Sequence, residues 1–147
     1  MEKLNYQDVV LELNEYVDDV EGWSPYYIFN ICIASVKEPV GRIVFRCGSD
    51  MEHEFAGHIG YSVDEPYRGH HYALWACLAL KPFIRSLGYH HVLITCSPDN
   101  IASKKTIEKL GAEFVETKPI PSDLRKEFTG SETRKRIYYW QLQKEAK

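Results

Sequence analysis

Read for its alternation of apolar and polar positions, the chain opens with a short strand, Val9-Val-Leu-Glu-Leu. The polar stretch Asp18 to Pro25 reads as a loop. Tyr26 to Ala34 has the aromatic and β-branched content of a strand. Lys37-Glu-Pro-Val-Gly predicts a turn and Arg42 to Cys47 a strand, so these two strands form a hairpin. Phe55 to Val63 predicts a fourth strand, with Gly57 and Gly60 suited to a bulge or a close approach. Then the period changes. Tyr72-Ala-Leu-Trp-Ala-Cys-Leu-Ala-Leu is too long and too rich in Ala and Leu for a strand. It predicts a buried helix from about Gly69, bent or ended at Pro82 and closed by Gly88. His91 to Cys96 is nearly all apolar, as in a central strand covered on both faces. Asn100 to Leu110 predicts a second helix, with Asn100 as N-cap and Gly111 just past its end. Phe114 begins a sixth strand, 119–130 is irregular, and Arg136 to Leu142 is a closing strand. The order β-β-β-β-α-β-α-β-β is an α/β arrangement with a mixed sheet.

The 147 residues suit one domain spanning 1–147, with enough chain for a core. No repeat or Gly/Ser linker divides it. No apolar run is long enough for a membrane helix, and Met1 to Val10 lacks the pattern of a signal peptide, so no membrane partner is expected. Cys32, Cys47, Cys77 and Cys96 are irregularly spaced among apolar residues, which predicts four buried, reduced thiols in a cytoplasmic protein. The net charge of −3 argues against a nucleic-acid partner. It is unevenly distributed, with −9 over residues 1–66, +2 over 67–117 and +4 over 118–147. Solvated faces explain such a split. The functional alternative is an acidic first half that meets a cationic amine and a basic second half that meets an anion. The histidines, including the pairs His70-His71 and His90-His91, lack Cys or carboxylate partners at a familiar ligand spacing, so no metal is expected.

The chemistry concentrates in Val63-Asp-Glu-Pro-Tyr-Arg-Gly-His-His-Tyr-Ala. Here a strand ends, a Pro-containing turn follows, and Arg68-Gly69 opens a helix. The first N–H groups of a helix lack internal partners and sit at the positive end of its dipole, which suits a phosphate. Gly69 permits close backbone approach, and Arg68 adds a forked, permanently charged donor. A second segment, Asp99-Asn-Ile-Ala-Ser-Lys-Lys-Thr-Ile-Glu-Lys-Leu-Gly-Ala-Glu-Phe, opens the next helix.

Together the two segments resemble the GNAT superfamily of N-acetyltransferases. The family's Arg/Gln-x-x-Gly-x-Gly/Ala pattern, which binds the coenzyme A pyrophosphate, maps onto Arg68, Gly69, His70, His71, Tyr72 and Ala73. Its Asn-x-x-Ser/Ala followed by a helix ending in a Leu-Gly-Phe-like run maps onto Asn100, Ser103, Leu110, Gly111 and Phe114. The resemblance runs from about Val9 to Leu142 and implies a GNAT-like fold with a split central sheet. It implies that acetyl-CoA, or a related acyl-CoA, lies between the fourth and fifth strands. The backbone of Tyr61, Ser62 and Val63 would pair with the pantetheine arm, and N–H groups from His70 to Ala73 would cradle the pyrophosphate. Asn100 and Ser103 would flank the sulfur end. An acceptor amine would attack the thioester directly, with a base or water removing its proton.

Two positions depart from the family pattern. His71 stands where the family has Gly, and its side chain either turns outward or donates to phosphate. Ile107 stands where many relatives carry a Tyr that protonates the leaving thiolate, and an Ile donates no proton. The acid is then Ser103 or water, or the thiolate leaves unassisted. Binding of acyl-CoA without turnover, as a sensor or interaction module, is the alternative function. For the base, strand alternation groups Glu54, Ala56, His58, Gly60 and Ser62 on one face, with His58 first and Glu54 second as candidates. Lys104 and Lys105 lie near Asn100, either solvated or facing a coenzyme phosphate. Only a short loop, Tyr16 to Tyr26, stands where relatives commonly place helices that wall the acceptor. That implies an acceptor site that is open or completed by a second subunit, in a monomer or homodimer, taking a small amine or a peptide.

Overall fold

The computed structural model describes residues 4–18, 22–128 and 132–143. Parts of the segments read as loops, 19–21 and 129–131, lie outside the described residues, as do 1–3 and 144–147. Eight strands form one sheet in the order β1-β2-β3-β4-β5-β6-β8-β7. They are β1 (Leu4–Tyr6), β2 (Val9–Val17), β3 (Tyr26–Ile33), β4 (Gly41–Arg46), β5 (Ile59–Val63), β6 (His91–Cys96), β7 (Glu113–Pro119) and β8 (Arg134–Gln141). Two helices, α1 (Tyr72–Ser86) and α2 (Ile101–Lys109), complete the predicted α/β plan.

Strand alternation builds the core. Val9, Leu11, Phe29, Ile31, Ile43, Phe45 and Ile59 turn to one face of the sheet and are buried. Against them pack Ala76, Cys77, Ala79, Leu80 and Ile84 of α1. Pro82 stays within α1, and Gly88 follows its end at φ +96°. Cross-strand pairing sets Glu12, Asn30, Arg42 and Ser62 in a row, alternating with the buried positions of their strands, so that they occupy the opposite face.

Four expectations change. The strand at Val9 continues to Val17 through a bulge between Leu13 and Glu15, and β1 precedes it across a turn with Gln7 at φ +51°. The fourth strand begins at Ile59, not Phe55. Residues 50–56 are turns, closed by Gly57 N–H donating to the His53 carbonyl, and Gly57 sits at φ +78° against the backbone of β6. Glu54 therefore does not share a strand face with Gly60 and Ser62. Helix α1 begins at Tyr72 rather than Gly69, because Gly69 and His71 are both left-handed, at φ +88° and +66°. Of the four cysteines, Cys77 and Cys96 are buried, while Cys32 and Cys47 are half-buried.

Candidate active site

Strands β5 and β6 run parallel and pair only at Ile59 and Ile94, so the sheet opens beyond that point. On the other edge β5 stays fully paired with β4 from Ile59 to Val63. The His58 carbonyl accepts from Arg46 N–H and Asp64 N–H donates to the Val40 carbonyl. Even-numbered positions thus bond β4, and the peptide groups of Tyr61 and Val63 turn toward the split. The Val63 carbonyl accepts from Arg68 Nε at 2.8 Å. A cleft of about 400 Å³ occupies the split. Tyr61, Asn100 and Ser103 line it together with Arg46, Gly60 and Ala56, and Glu127, Phe128, Glu132 and Lys135 form a further wall.

At the far end of β5, a short 3₁₀ turn at Glu65–Tyr67 leads into α1. The first intrahelical bond runs from Trp75 N–H to the His71 carbonyl, so the N–H groups of Tyr72, Ala73 and Leu74 lie ahead of the ladder. Arg68, Gly69, His70 and His71 are exposed beside them. His71 rests near Trp75, with ring centroids 6.3 Å apart. Asn100 caps α2 as predicted, its Oδ1 accepting from Ser103 N–H at 3.1 Å. The Ser103 side chain reaches back across the cleft, and its Oγ lies 2.8 Å from Tyr61 Oη. Burial pushes the Tyr61 phenol above its ordinary range, and nearby Cys77 adds to the shift against the Ser103 hydrogen bond. The phenol therefore stays protonated. Ile107 is fully buried.

The candidate bases sit elsewhere. His58 is fully buried. Its Nδ1 accepts from Leu93 N–H at 2.9 Å, so the proton is on Nε2, which donates to the Gly48 carbonyl at 2.9 Å. Neither nitrogen is left for an acceptor, and His58 is a bracket between the 48–58 segment and β6. Its pKa is lowered, first by burial and then by His53 and His91, against the Gly48 carbonyl and Asp50. Glu54 is half-buried and paired with Lys118 Nζ at 3.0 Å. The sequence pattern missed Arg46 and the wall at Glu127, Phe128, Glu132 and Lys135. The signal for Arg46 was an arginine alternating with apolar positions of a strand; pairing then sets Val44, two residues before it, opposite Gly60.

Residues 6–113 match the model of the acetyltransferase (GNAT) domain. The chain belongs to the GNAT acetyltransferase family. Membership makes it an acyl-CoA-dependent N-acetyltransferase by class. No curated protein is significantly similar to it in sequence. Among solved structures, it is similar in fold to a probable GNAT acetyltransferase from Chromobacterium violaceum, with a TM-score of 0.67 and 13% identity over 95% of this chain and 86% of that one. It is also similar to RimL, a ribosomal L7/L12 alpha-N-protein acetyltransferase, with a TM-score of 0.63 and 17% identity over 82% of this chain and 72% of that one. A third GNAT structure, the microcin C7 self-immunity acetyltransferase MccE in complex with acetyl-CoA and AMP, matches at a TM-score of 0.60 and 19% identity. There the alignment covers 79% of this chain but 61% of MccE, so this chain spans less than two thirds of that protein.

Proposed function

We propose that this chain transfers an acetyl group from acetyl-CoA to an amine at the split between β5 and β6. The observation that carries the reading is the Tyr61–Ser103 hydroxyl pair, 2.8 Å apart and set across the split beside the outward-turned peptide groups of β5. Acetyl-CoA supplies the acetyl group as an activated thioester. Tyr61 and Val63 orient its extended arm through the strand edge, whereas Ser62, expected to join them, turns its peptide group to β4 and does not. The N–H groups of Tyr72 and Ala73, with Arg68, Gly69, His70 and His71 around them, receive its phosphates at the positive end of α1. Asn100 holds Ser103 in place by capping α2.

The Tyr61–Ser103 pair takes the place that Ile107 leaves empty of acid chemistry. It gives a proton to the departing sulfur while cleft water takes one from the amine and returns it to the pair, so that one amine and one thioester become one amide and one thiol and the pair is restored. No histidine serves as the base. His58 has both nitrogens committed, and Glu54 is held by Lys118. The open cleft supplies water directly.

Calorimetric titration of acetyl-CoA into the protein and its Arg68→Ala variant tests the binding half. Binding that weakens about tenfold or more in the variant supports the phosphate cradle. Equal affinities remove Arg68 from it. Release of free thiol with an amine panel tests the transfer half. Binding without thiol release under any amine would instead establish an acyl-CoA-binding module, the reading that the inert Ile107 favours.

A further inference from the structure

Arg46 enters the cleft from the face of the sheet opposite the helices. Alternation along β4 sets it with Arg42 and Val44, away from buried Ile43 and Phe45. Its Nη1 donates to two carbonyls, Gly57 at 3.1 Å and Ala56 at 3.3 Å. These contacts fix the plane of the guanidinium over Gly60. A Cβ at Gly60 would come within 2.9 Å of Nη2, so the absence of a side chain there makes the space that the guanidinium fills. Nη2 and Nε bond no described residue and neither is a buried orphan, so both are open to solvent on a residue that lines the cleft. No carboxylate among the described residues pairs with Arg46, whereas the other cation on the cleft wall, Lys135, is paired with Glu132 at 2.7 Å.

An arginine held rigidly by backbone carbonyls, half-buried in a cleft and without a carboxylate partner, is a built receptor for an anion. It lies across β5 from the Tyr61–Ser103 pair, and both line the same cleft. We infer that Arg46 selects acceptors bearing an anionic group, a carboxylate or a phosphoryl, on the same molecule as the amine that is acetylated. This inference rests on the acetyl-transfer reading above and adds to it the class of acceptor. The acidic first half of the sequence suggests a cationic acceptor. The cleft adds a local demand that net charge does not report: the amine must come with an anion.

The test has two arms. In the first, thiol release from acetyl-CoA is followed with alanine, alaninamide, phenylalanine, phenylalaninamide, phosphoethanolamine and ethanolamine. Acids should exceed their neutral counterparts about 10- to 100-fold in kcat/KM, the range for losing a charge-assisted pair. A larger gain in the carboxylate or in the phosphoryl pairs identifies which anion is the natural one. Arg46→Gln should erase the preference while acetyl-CoA affinity stays within about twofold. Gly60→Ala should shrink it too, with the charge still present. In the second arm, which needs no turnover, N-acetylalanine and N-acetylalaninamide are titrated into the protein with CoA present. Only the acid should bind, and Arg46→Gln should abolish that binding.

A neutral preference in the first arm, or equal binding of the two acetylated products in the second, overturns the inference. So does a loss of rate in Arg46→Gln that is uniform across acids and neutral amines, since that would make Arg46 part of the transfer step. Failure of acetyl-CoA itself to bind the unaltered protein would overturn the underlying reading, and calorimetry with acetyl-CoA alone distinguishes that case.

Discussion

The entry to β5 and its middle each carry a polar ring out of bulk water, and the two do opposite things. At the entry, His58 has its two nitrogens closed by the Gly48 carbonyl and the Leu93 N–H. Three residues on, Tyr61 places its hydroxyl against that of Ser103, at the wall of an open cleft. The difference comes from β6. It is still alongside at Ile59 and has left by Tyr61. Where the neighbouring strand remains, polar atoms are consumed in holding the sheet together. Where it departs, they face a space that a ligand fills. Intrinsic acidity points to the histidine as the chemical residue, and the hydrogen-bond partners point to the tyrosine.

The sharpest way to break this comparison is at His58. Replacing it with Ala leaves a carbonyl and an N–H unpaired in the core and opens a cavity, which should cost about 3–5 kcal/mol in equilibrium denaturation. Acetyl-CoA binding per folded molecule should be preserved. A stable His58→Ala protein with abolished thiol release would reverse the assignment and return the histidine to the chemistry.

Next in size is the open end. Tyr61→Phe and Ser103→Ala each remove one member of the hydroxyl pair, and each should lower kcat about 10- to 100-fold, at or below the usual worth of a positioned proton donor. Acetyl-CoA affinity should change little. Their double variant should be no worse than the poorer single one, because a pair that acts as a unit is lost with its first member. Additive losses would mean that the two hydroxyls act separately.

Acidification probes the closed end more gently. The pKa of His58 is lowered in the fold, first by burial, so below about pH 6.5 the unfolded chain takes up a proton that the folded chain refuses. Stability should be level above that value and fall as pH drops through it, by at most about 1.4 kcal/mol per pH unit for one site. His58→Gln should show a shallower fall between pH 6.5 and 5. An unchanged slope would remove His58 from the pH dependence.

What could be read from sequence follows the same division. The strand–turn–helix at Val63 to Ala73 and the Asn100 cap were legible because their signals are local: a glycine, a proline and an N-cap residue within a few positions of the helix they start. The sixteen-residue stretch that begins at Asp99 carried the second motif for the same reason. The face of His58 was not legible, because Gly57 at φ +78° breaks the alternation that ran through Glu54 in the sequence. Nor was the Tyr61–Ser103 contact, which joins positions 42 apart. Arg46 became a site residue only when pairing set Val44 beside Gly60 and brought the 56–57 carbonyls over β4. Strand β1 was missed because three residues with one half-buried side chain carry too little pattern.

The smallest effect concerns His71, one of the two places where the sequence departs from the family pattern. His71 adopts φ +66°, a left-handed conformation natural to the glycine that the family pattern has there and disfavoured for side chains. Histidine tolerates it better than most residues, and the exposed ring resting near Trp75 meets no steric obstacle. The fold has therefore kept the loop geometry and accepted local strain. His71→Gly should relieve that strain and raise stability by about 1 kcal/mol, less whatever the looser unfolded chain regains in entropy. Thermal denaturation should register it as a gain of roughly 2–4 °C for a chain of this size. Acetyl-CoA affinity decides the rest. If the ring only points outward, affinity is unchanged across pH. If the ring also donates to phosphate, the glycine variant binds more weakly. A variant that is both less stable and equally tight in binding would contradict both roles, because neither strain relief nor a lost phosphate contact would then describe this turn.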